Sequence, residues 1–328
     1  MLRKHGFVLA LVASVGLAIV FPRLGAPDGP LQAGLISKLG VMVIFFLQGL
    51  TLNTRNLAQG VQNVRLHAFI QAWIFIFSAC VFLLIAWILS ALGMQNLANG
   101  FLYLALIPTT ISSAVAFTGA ANGNVPSAIF NVTLANVIGV VWVPAGCLIL
   151  FSSGNSLQTG LILPLLWKVV QLILLPLVAG QILRPLVHKR EGFLQIAPFF
   201  KWVNHSIILF IVYAAFCGSM LSDSWIGIGA GSIWMLFGAT LSAVLVIHLG
   251  VWISSGWIGM SHQERVSALF CGSQKTLAAG APMAVAIFAS ENGFAGIHIG
   301  LLMLPLLCYH PVQLFLAAIV LPKLSASH

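Results

Sequence analysis

The sequence predicts an all-α integral membrane protein of ten transmembrane helices, arranged as two five-helix halves of opposite orientation. Three observations predict it. The chain is 60% hydrophobic and only 6% charged, whereas soluble domains carry about 25% charged residues. Its apolar residues fall into ten stretches close to the roughly 20 residues that a span needs. Two of those stretches, one in each half, break into short polar runs at matching places. Paired interrupted spans are a sequence pointer to the binding site of a secondary transporter.

The ten stretches run near 6–22, 31–52, 66–92, 97–121, 125–151, 161–186, 201–221, 228–256, 264–290 and 296–322. The first follows Arg3, Lys4 and His5, a pattern that a secretory signal shares. Its retention is expected, because removal would leave nine spans and unequal halves. The third carries Gln71, and the fourth holds the first break, Pro108-Thr109-Thr110-Ile111-Ser112-Ser113-Ala114. The fifth carries Asn131, Thr133, Asn136 and Pro144. Between the sixth and seventh, Val187-His188-Lys189-Arg190-Glu191 reads as a cytoplasmic linker among lipid headgroups. The eighth carries His248. The ninth holds the second break, Cys271-Gly272-Ser273-Gln274-Lys275-Thr276, and the tenth carries His298, His310 and Pro311. Connections this short leave no room for a separate soluble domain. The chain is therefore one polytopic domain, 1–328, with repeat one over about 1–155 and repeat two over about 156–328.

An odd number of spans per half forces the second half to enter the membrane from the opposite side. Each broken span is followed by an Asn-Gly turn dipeptide, Asn122-Gly123 and Asn292-Gly293, and then by a long apolar segment containing a proline. The repeat rests on this pattern and not on residue identity.

The formal charge of +9 comes from 14 Lys+Arg against 5 Asp+Glu. With the N-terminus in the cytoplasm, Arg3, Lys4, Arg55, Arg65, Arg184, Lys189, Arg190, Lys201, Arg265 and Lys323 lie at cytoplasmic ends or loops, and Arg23 alone falls in an outer loop. That is the positive-inside distribution. It accounts for the basic excess without a nucleic-acid partner and places both termini in the cytoplasm. The expected location is the plasma membrane, the inner membrane of a bacterium, with lipid as the surrounding partner. The five cysteines form no C-x-x-C pair, so neither a disulfide framework nor a zinc site is indicated. No cofactor is expected.

A backbone N–H or C=O left unpaired in hydrocarbon costs several kcal/mol. An unwound stretch survives there only if a neighbouring helix, water or a ligand satisfies it. Thr109, Thr110, Ser112 and Ser113 bring short hydroxyls to the first break, and half-helix ends supply opposite partial charges. Such a place suits a cation together with an organic anion. The same small residues also serve close helix packing. Lys275 is the sharper signal. At 1.5 Å per residue from Arg265 it lies roughly 15 Å deep, near the midplane, where no Asp or Glu is predicted. Its partners are then carbonyls, Gln274, Thr276, hydroxyls of the other break, Gln71, Asn136 or an anionic substrate. An ammonium buried without a counter-charge is disfavoured against the neutral amine, which makes proton exchange a second role for Lys275. Asn131, Thr133 and Asn136 are either site residues or ordinary interhelical contacts. The lone histidines read as packing residues outside the site.

At these residues the chain resembles the bile acid:sodium symporter family, and more closely its branch of sodium/bile acid cotransporter 7-like proteins. The similarity spans nearly the whole chain. It is most specific over Phe270-Cys271-Gly272-Ser273-Gln274-Lys275-Thr276-Leu277-Ala278-Ala279-Gly280-Ala281-Pro282-Met283, and Pro108 to Thr133 looks like the other crossover region. The resemblance implies a core domain in which broken helices four and nine cross at the midplane, a panel domain of flanking spans, and alternating access between them. It also implies a sodium site, of which this chain keeps only part. Gln71 matches a third-span glutamine, Ser113 a fourth-span serine, and Thr133 lies near a fifth-span threonine, so these three mark a vestigial site. The asparagine after the serine is Ala114, the ninth-span glutamate is Cys271, and a Gln-Asn pair is Lys275-Thr276.

The resulting expectation is a secondary active transporter of a small organic anion. The Lys275 ammonium takes sodium's place, so transport is sodium-independent or proton-coupled. Cys271, Gln274 and Thr276 complete the candidate site with Gln71, the first-break hydroxyls and the fifth-span group. An enzyme is not expected, because no nucleophile–base pair, acid pair or metal motif lies at membrane depth. The competing class is a membrane regulator or scaffold that retains the fold without transporting. A cavity reaching Lys275 favours transport; a sealed crossover favours the regulator.

Overall fold

A computed structural model describes residues 2–51, 63–151, 164, 167–188, 193–222, 225, 229–289, 294 and 296–325. Among the described residues the chain is 85% helix, without strands. The helices are α1 (Leu2–Val20), α2 (Ala33–Thr51), α3 (Val64–Ala91), α4 (Gln95–Leu106), α5 (Ser112–Ala120), α6 (Val125–Phe151), α7 (Trp167–Val187), α8 (Phe193–Met220), α9 (Ala230–Trp257), α10 (His262–Ser273), α11 (Leu277–Phe288) and α12 (Ile299–Ser325). Seven of them, α2, α3, α6, α7, α8, α9 and α12, are long and apolar enough to cross a membrane. α1 contributes a shorter apolar stretch, Gly6–Val20. The fourth and ninth predicted stretches are each two shorter helices, α4 with α5 and α10 with α11. Arg55, Lys189, Arg190, Glu191, Asp223, Glu291 and the Asn292-Gly293 turn lie outside the described residues.

Two compact units make up the chain, and each draws on both halves of the sequence. The first comprises Met1–Leu52, Pro144–Gly227 and Ala278–Met303. Within it α2 packs closely on α7. A Cβ on Gly180 would lie 2.2 Å from the Phe46 carbonyl oxygen, and one on Gly49 would lie 2.2 Å from that of Leu177. Small residues at both positions let the backbones approach, as in helix packing within membranes. The Gln181 amide donates to the Gly49 carbonyl across the same contact.

The second unit comprises Asn53–Val143, Ile228–Leu277 and Leu304–His328, and it contains both breaks. Its helix ends follow local chemistry. Ser261 and Glu264 form a capping box that starts α10, satisfying two otherwise orphaned amides. The Asn63 side chain caps α3 by accepting from Leu66 N–H at 3.1 Å. The expected Asn122-Gly123 turn is the C-terminal cap of α5. Asn122 adopts φ +55°, and Gly123 N–H returns to the Thr118 carbonyl at 2.8 Å, the 6→1 bond of a Schellman cap. A Cβ on Gly123 would lie 2.7 Å from the Val266 side chain, so only glycine fits there.

Candidate functional site: two helix breaks around Lys275

The first break follows from proline. Pro108 has no N–H to continue the helix, and it disfavours helical geometry at the residue before it. Ile107 is accordingly extended, at φ −67° and ψ 133°. The chain stays unwound until α5 begins at Ser112. The Asn136 amide donates to the Thr109 carbonyl at 3.0 Å, and the Thr110 and Ser113 hydroxyl oxygens lie 2.5 Å apart.

The second break contains no proline. Partners elsewhere in the unit hold it open. Tyr309 donates its hydroxyl to the Ser273 carbonyl at 2.9 Å. Gln313 clasps Lys275 from both sides: its carbonyl oxygen accepts the Lys275 N–H at 2.7 Å, and its amide donates to the Lys275 carbonyl at 2.8 Å. The Thr276 N–H reaches the Pro108 carbonyl at 2.9 Å, so the two breaks are bonded to each other. A second link is the Gln274 side chain, whose oxygen accepts from Thr110 at 2.6 Å and from Ser113 at 2.7 Å. Backbone groups of Pro108, Thr109, Ser273, Lys275 and Thr276 that no helix ladder pairs are thus satisfied from elsewhere in the unit.

The Lys275 side chain is fully buried. Its ammonium donates to two carbonyls, Ile107 at 2.8 Å and Ile74 at 2.9 Å, and lies 5.5 Å from the centre of the Phe82 ring, within cation–π range. Both carbonyls are freed by local departures from α-helix. Ile107 sits just past the end of α4, where carbonyls are unsatisfied and the helix dipole is negative. Ile74 lies in a π-helical turn, Trp73–Phe77, inside α3. There the Ser78 N–H bonds Trp73 rather than Ile74. Ile74 instead accepts from the Ser78 hydroxyl at 2.9 Å and from Lys275. A cation among carbonyl dipoles therefore stands where no carboxylate is available.

The predicted residues divide into groups. Thr109, Thr110, Ser113, Asn136, Gln274, Lys275 and Thr276 come together at the meeting of the breaks. Gln71 and Asn131 form a neighbouring set: the Gln71 amide donates to the Asn131 side chain at 3.1 Å, and Asn131 meets His67 at 2.8 Å. Cys271 is buried, with its thiol 3.9 Å from the Ala128 carbonyl. Thr133 is buried but has no side-chain hydrogen bond to these groups among the described residues. Ser112 is exposed at the first turn of α5. Gln71 and Ser113 bond Asn131 and Gln274 respectively. Among the described residues, the Lys275 ammonium is held by the Ile74 and Ile107 carbonyls and not by the expected polar side chains. Gln313 and Tyr309 join the site without having been expected there, although a lone amide on an apolar span is a signal in the sequence. His248 and His310, expected to be packing residues, also lie beside the site. His248 Nε2 lies 3.2 Å from the Ser273 hydroxyl, and His310 Nδ1 lies 3.0 Å from the Gln313 amide.

Similarity to known proteins identifies the family of the chain. The SBF-like CPA transporter family matches residues 5–326, essentially end to end. The chain belongs to that family. Among its relatives, "Sodium/bile acid cotransporter 7" of Mus musculus is 31% identical over 328 residues, covering 99% of this chain and 93% of that protein. The protein of the same name from Danio rerio is 31% identical over 329 residues, covering 98% and 94%. "Uncharacterized protein PA2026" of Pseudomonas aeruginosa is 30% identical over 318 residues, covering 96% and 91%. Membership makes the chain a membrane transporter rather than an enzyme.

Proposed function

We propose that the chain is a secondary active transporter that carries a small organic anion by alternating access, with the Lys275 ammonium in the place of a coupling sodium. The observation that carries this reading is the Lys275 ammonium held by the Ile74 and Ile107 carbonyls where the two breaks meet. A fixed charge there removes the need for a sodium ion and repels one that approaches. Transport is then sodium-independent or proton-coupled. An anion is favoured by the same charge and by the Gln274 amide nitrogen, a buried donor without a hydrogen-bond partner among the described residues.

The proposed architecture is ten spans in two inverted five-helix repeats, counting α1 and each interrupted pair as one crossing. Supporting it, each compact unit takes segments from both halves, as a core holding the crossover and a panel of flanking spans would. The proposed location is a plasma membrane, the inner membrane in a bacterium, with both termini cytoplasmic and lipid around the spans.

One observation favours a second reading, a non-transporting regulator with a transporter's fold. Ser273, Gln274 and Lys275 have no exposed surface. An occluded transporter shares that feature, so flux decides. Uptake of an anion panel into proteoliposomes, with and without sodium, is the test for wild type and Lys275→Gln. The expected result is wild-type uptake that does not need sodium and is lost in the variant. Uptake that depends strongly on sodium in the wild type overturns the coupling reading. No uptake of any anion supports the regulator.

A further inference from the structure

The π-helical turn in α3 passes over one backbone carbonyl. The Ser78 N–H bonds the Trp73 carbonyl, one residue further back than in an α-helix. The Ile74 carbonyl, whose α-helical donor would be that same N–H, accepts instead from the Ser78 hydroxyl at 2.9 Å and from the Lys275 ammonium at 2.9 Å. Such turns carry one extra residue and occur frequently at functional sites. The residues at and before this one are seated by direct contacts. The Trp73 indole N–H donates to the Ser254 hydroxyl at 3.1 Å. Two glycines make room for Trp73: a Cβ on Gly250 would lie 2.4 Å from its ring, and one on Gly272 would lie 3.2 Å from its own Cβ. Gln71 donates to the Asn131 carbonyl at 3.0 Å and to the Asn131 side chain at 3.1 Å. The Gln71 side-chain oxygen is buried, without a hydrogen-bond partner among the described residues.

We propose that Lys275 is a positioning residue for α3: its ammonium pins the extra residue at Ile74 and so fixes how Trp73 and Gln71 face the interior of the second unit. A hydrogen bond from a charged donor outweighs one from a neutral donor, so the ammonium holds the Ile74 carbonyl out of the helical ladder. When a bound anion draws the ammonium away, that carbonyl keeps only the Ser78 hydroxyl. The Ser78 N–H then passes from Trp73 to Ile74. This restores an α-helical bond at Ile74 and leaves the Trp73 carbonyl over. The extra residue has moved one position toward the N-terminus. Each side chain that it passes turns by about 100°, the angle of one helical residue. Trp73 turns first and leaves Ser254, and Gln71 lies two positions further on. The helix from Ser78 onward, with Phe82, keeps its hydrogen bonds. The turn thus converts the presence of a cation at the second break into the orientation of a buried amide on another helix.

This inference deepens the role that the proposed function gives Lys275, and it rests on that reading for the anion that draws the ammonium away. Its test involves no transport. Ile76 lies within the turn and is 56% exposed, so deleting it removes the extra residue without removing a buried side chain. The deletion is combined with Lys275→Met in a double-mutant cycle, which isolates the coupling between the two positions. Unfolding in detergent with rising SDS is the readout. The deletion is expected to lower the folding equilibrium constant on the order of tenfold more in the wild-type background than in the Lys275→Met background, the size of one hydrogen bond to a charged group. Equal losses in the two backgrounds overturn the proposal. The structure of Lys275→Met in nanodiscs, by electron cryomicroscopy, reads the same point without a deletion. The expected result is the Ser78 N–H on the Ile74 carbonyl and the Trp73 indole off Ser254. A π-helical turn that still passes over Ile74, with Trp73 still on Ser254, overturns the proposal. Either failure leaves the sodium test above untouched, and a sodium-dependent wild type would leave the measured position of the turn standing.

Discussion

Replacing Gln313 by leucine removes the one side chain that satisfies both backbone groups of Lys275. The two bonds are short, 2.7 and 2.8 Å, and both Gln313 and Lys275 are fully buried. Each buried backbone group left unpaired costs about 1–3 kcal/mol, hence roughly 2–6 kcal/mol together. Leucine returns about 1.5–3 kcal/mol by burying a comparable apolar side chain. The net loss is then about 2 kcal/mol. Equilibrium unfolding in mild detergent with rising SDS, followed by tryptophan fluorescence, measures it. Gln95→Ala is the control, because Gln95 is exposed and such substitutions stay within about 0.5 kcal/mol. A Gln313→Leu value no larger than the control would refute the claim that the clasp holds the break.

Three further outcomes follow from the same geometry. Gly139→Ala places a Cβ 2.7 Å from the Pro108 ring and is expected to destabilise by about 1–3 kcal/mol in the same unfolding assay. Tyr309→Phe deletes the hydroxyl on the Ser273 carbonyl and is expected to cost about 1–3 kcal/mol, with faster exchange of amides next to the break. Lys275→Met removes a desolvated charge along with two charge-assisted bonds. These are opposing terms of several kcal/mol, so stability is expected to change less than in Gln313→Leu. The thermal stabilisation given by anions that shift the wild type is expected to vanish.

Composition and hydropathy made the helical membrane class legible, because an apolar span carries its own signature in a run of residues. The first break was equally plain, since Pro108 dictates it locally. The second was visible as a polar run, but its support was not. Nothing within residues 271–276 forces the chain to unwind there; Tyr309 and Gln313 do so from more than thirty positions away. The Lys275 partners were hidden for a related reason. Carbonyls have no letter in a sequence, and the π-helical turn that frees Ile74 leaves no mark in Trp73-Ile74-Phe75-Ile76-Phe77. The family resemblance identified Gln71, Ser113 and Thr133 one at a time; Gln71 bonds Asn131 and Ser113 meets Gln274, whereas Thr133 has no side-chain hydrogen bond to either among the described residues.

The central claim is that a lysine has displaced sodium from the crossover. Binding of radiolabelled sodium to the purified wild-type protein tests it without knowledge of the substrate. The account predicts no saturable binding in the wild type at any millimolar concentration of sodium. Saturable binding that Lys275→Gln leaves intact or weakens would contradict it.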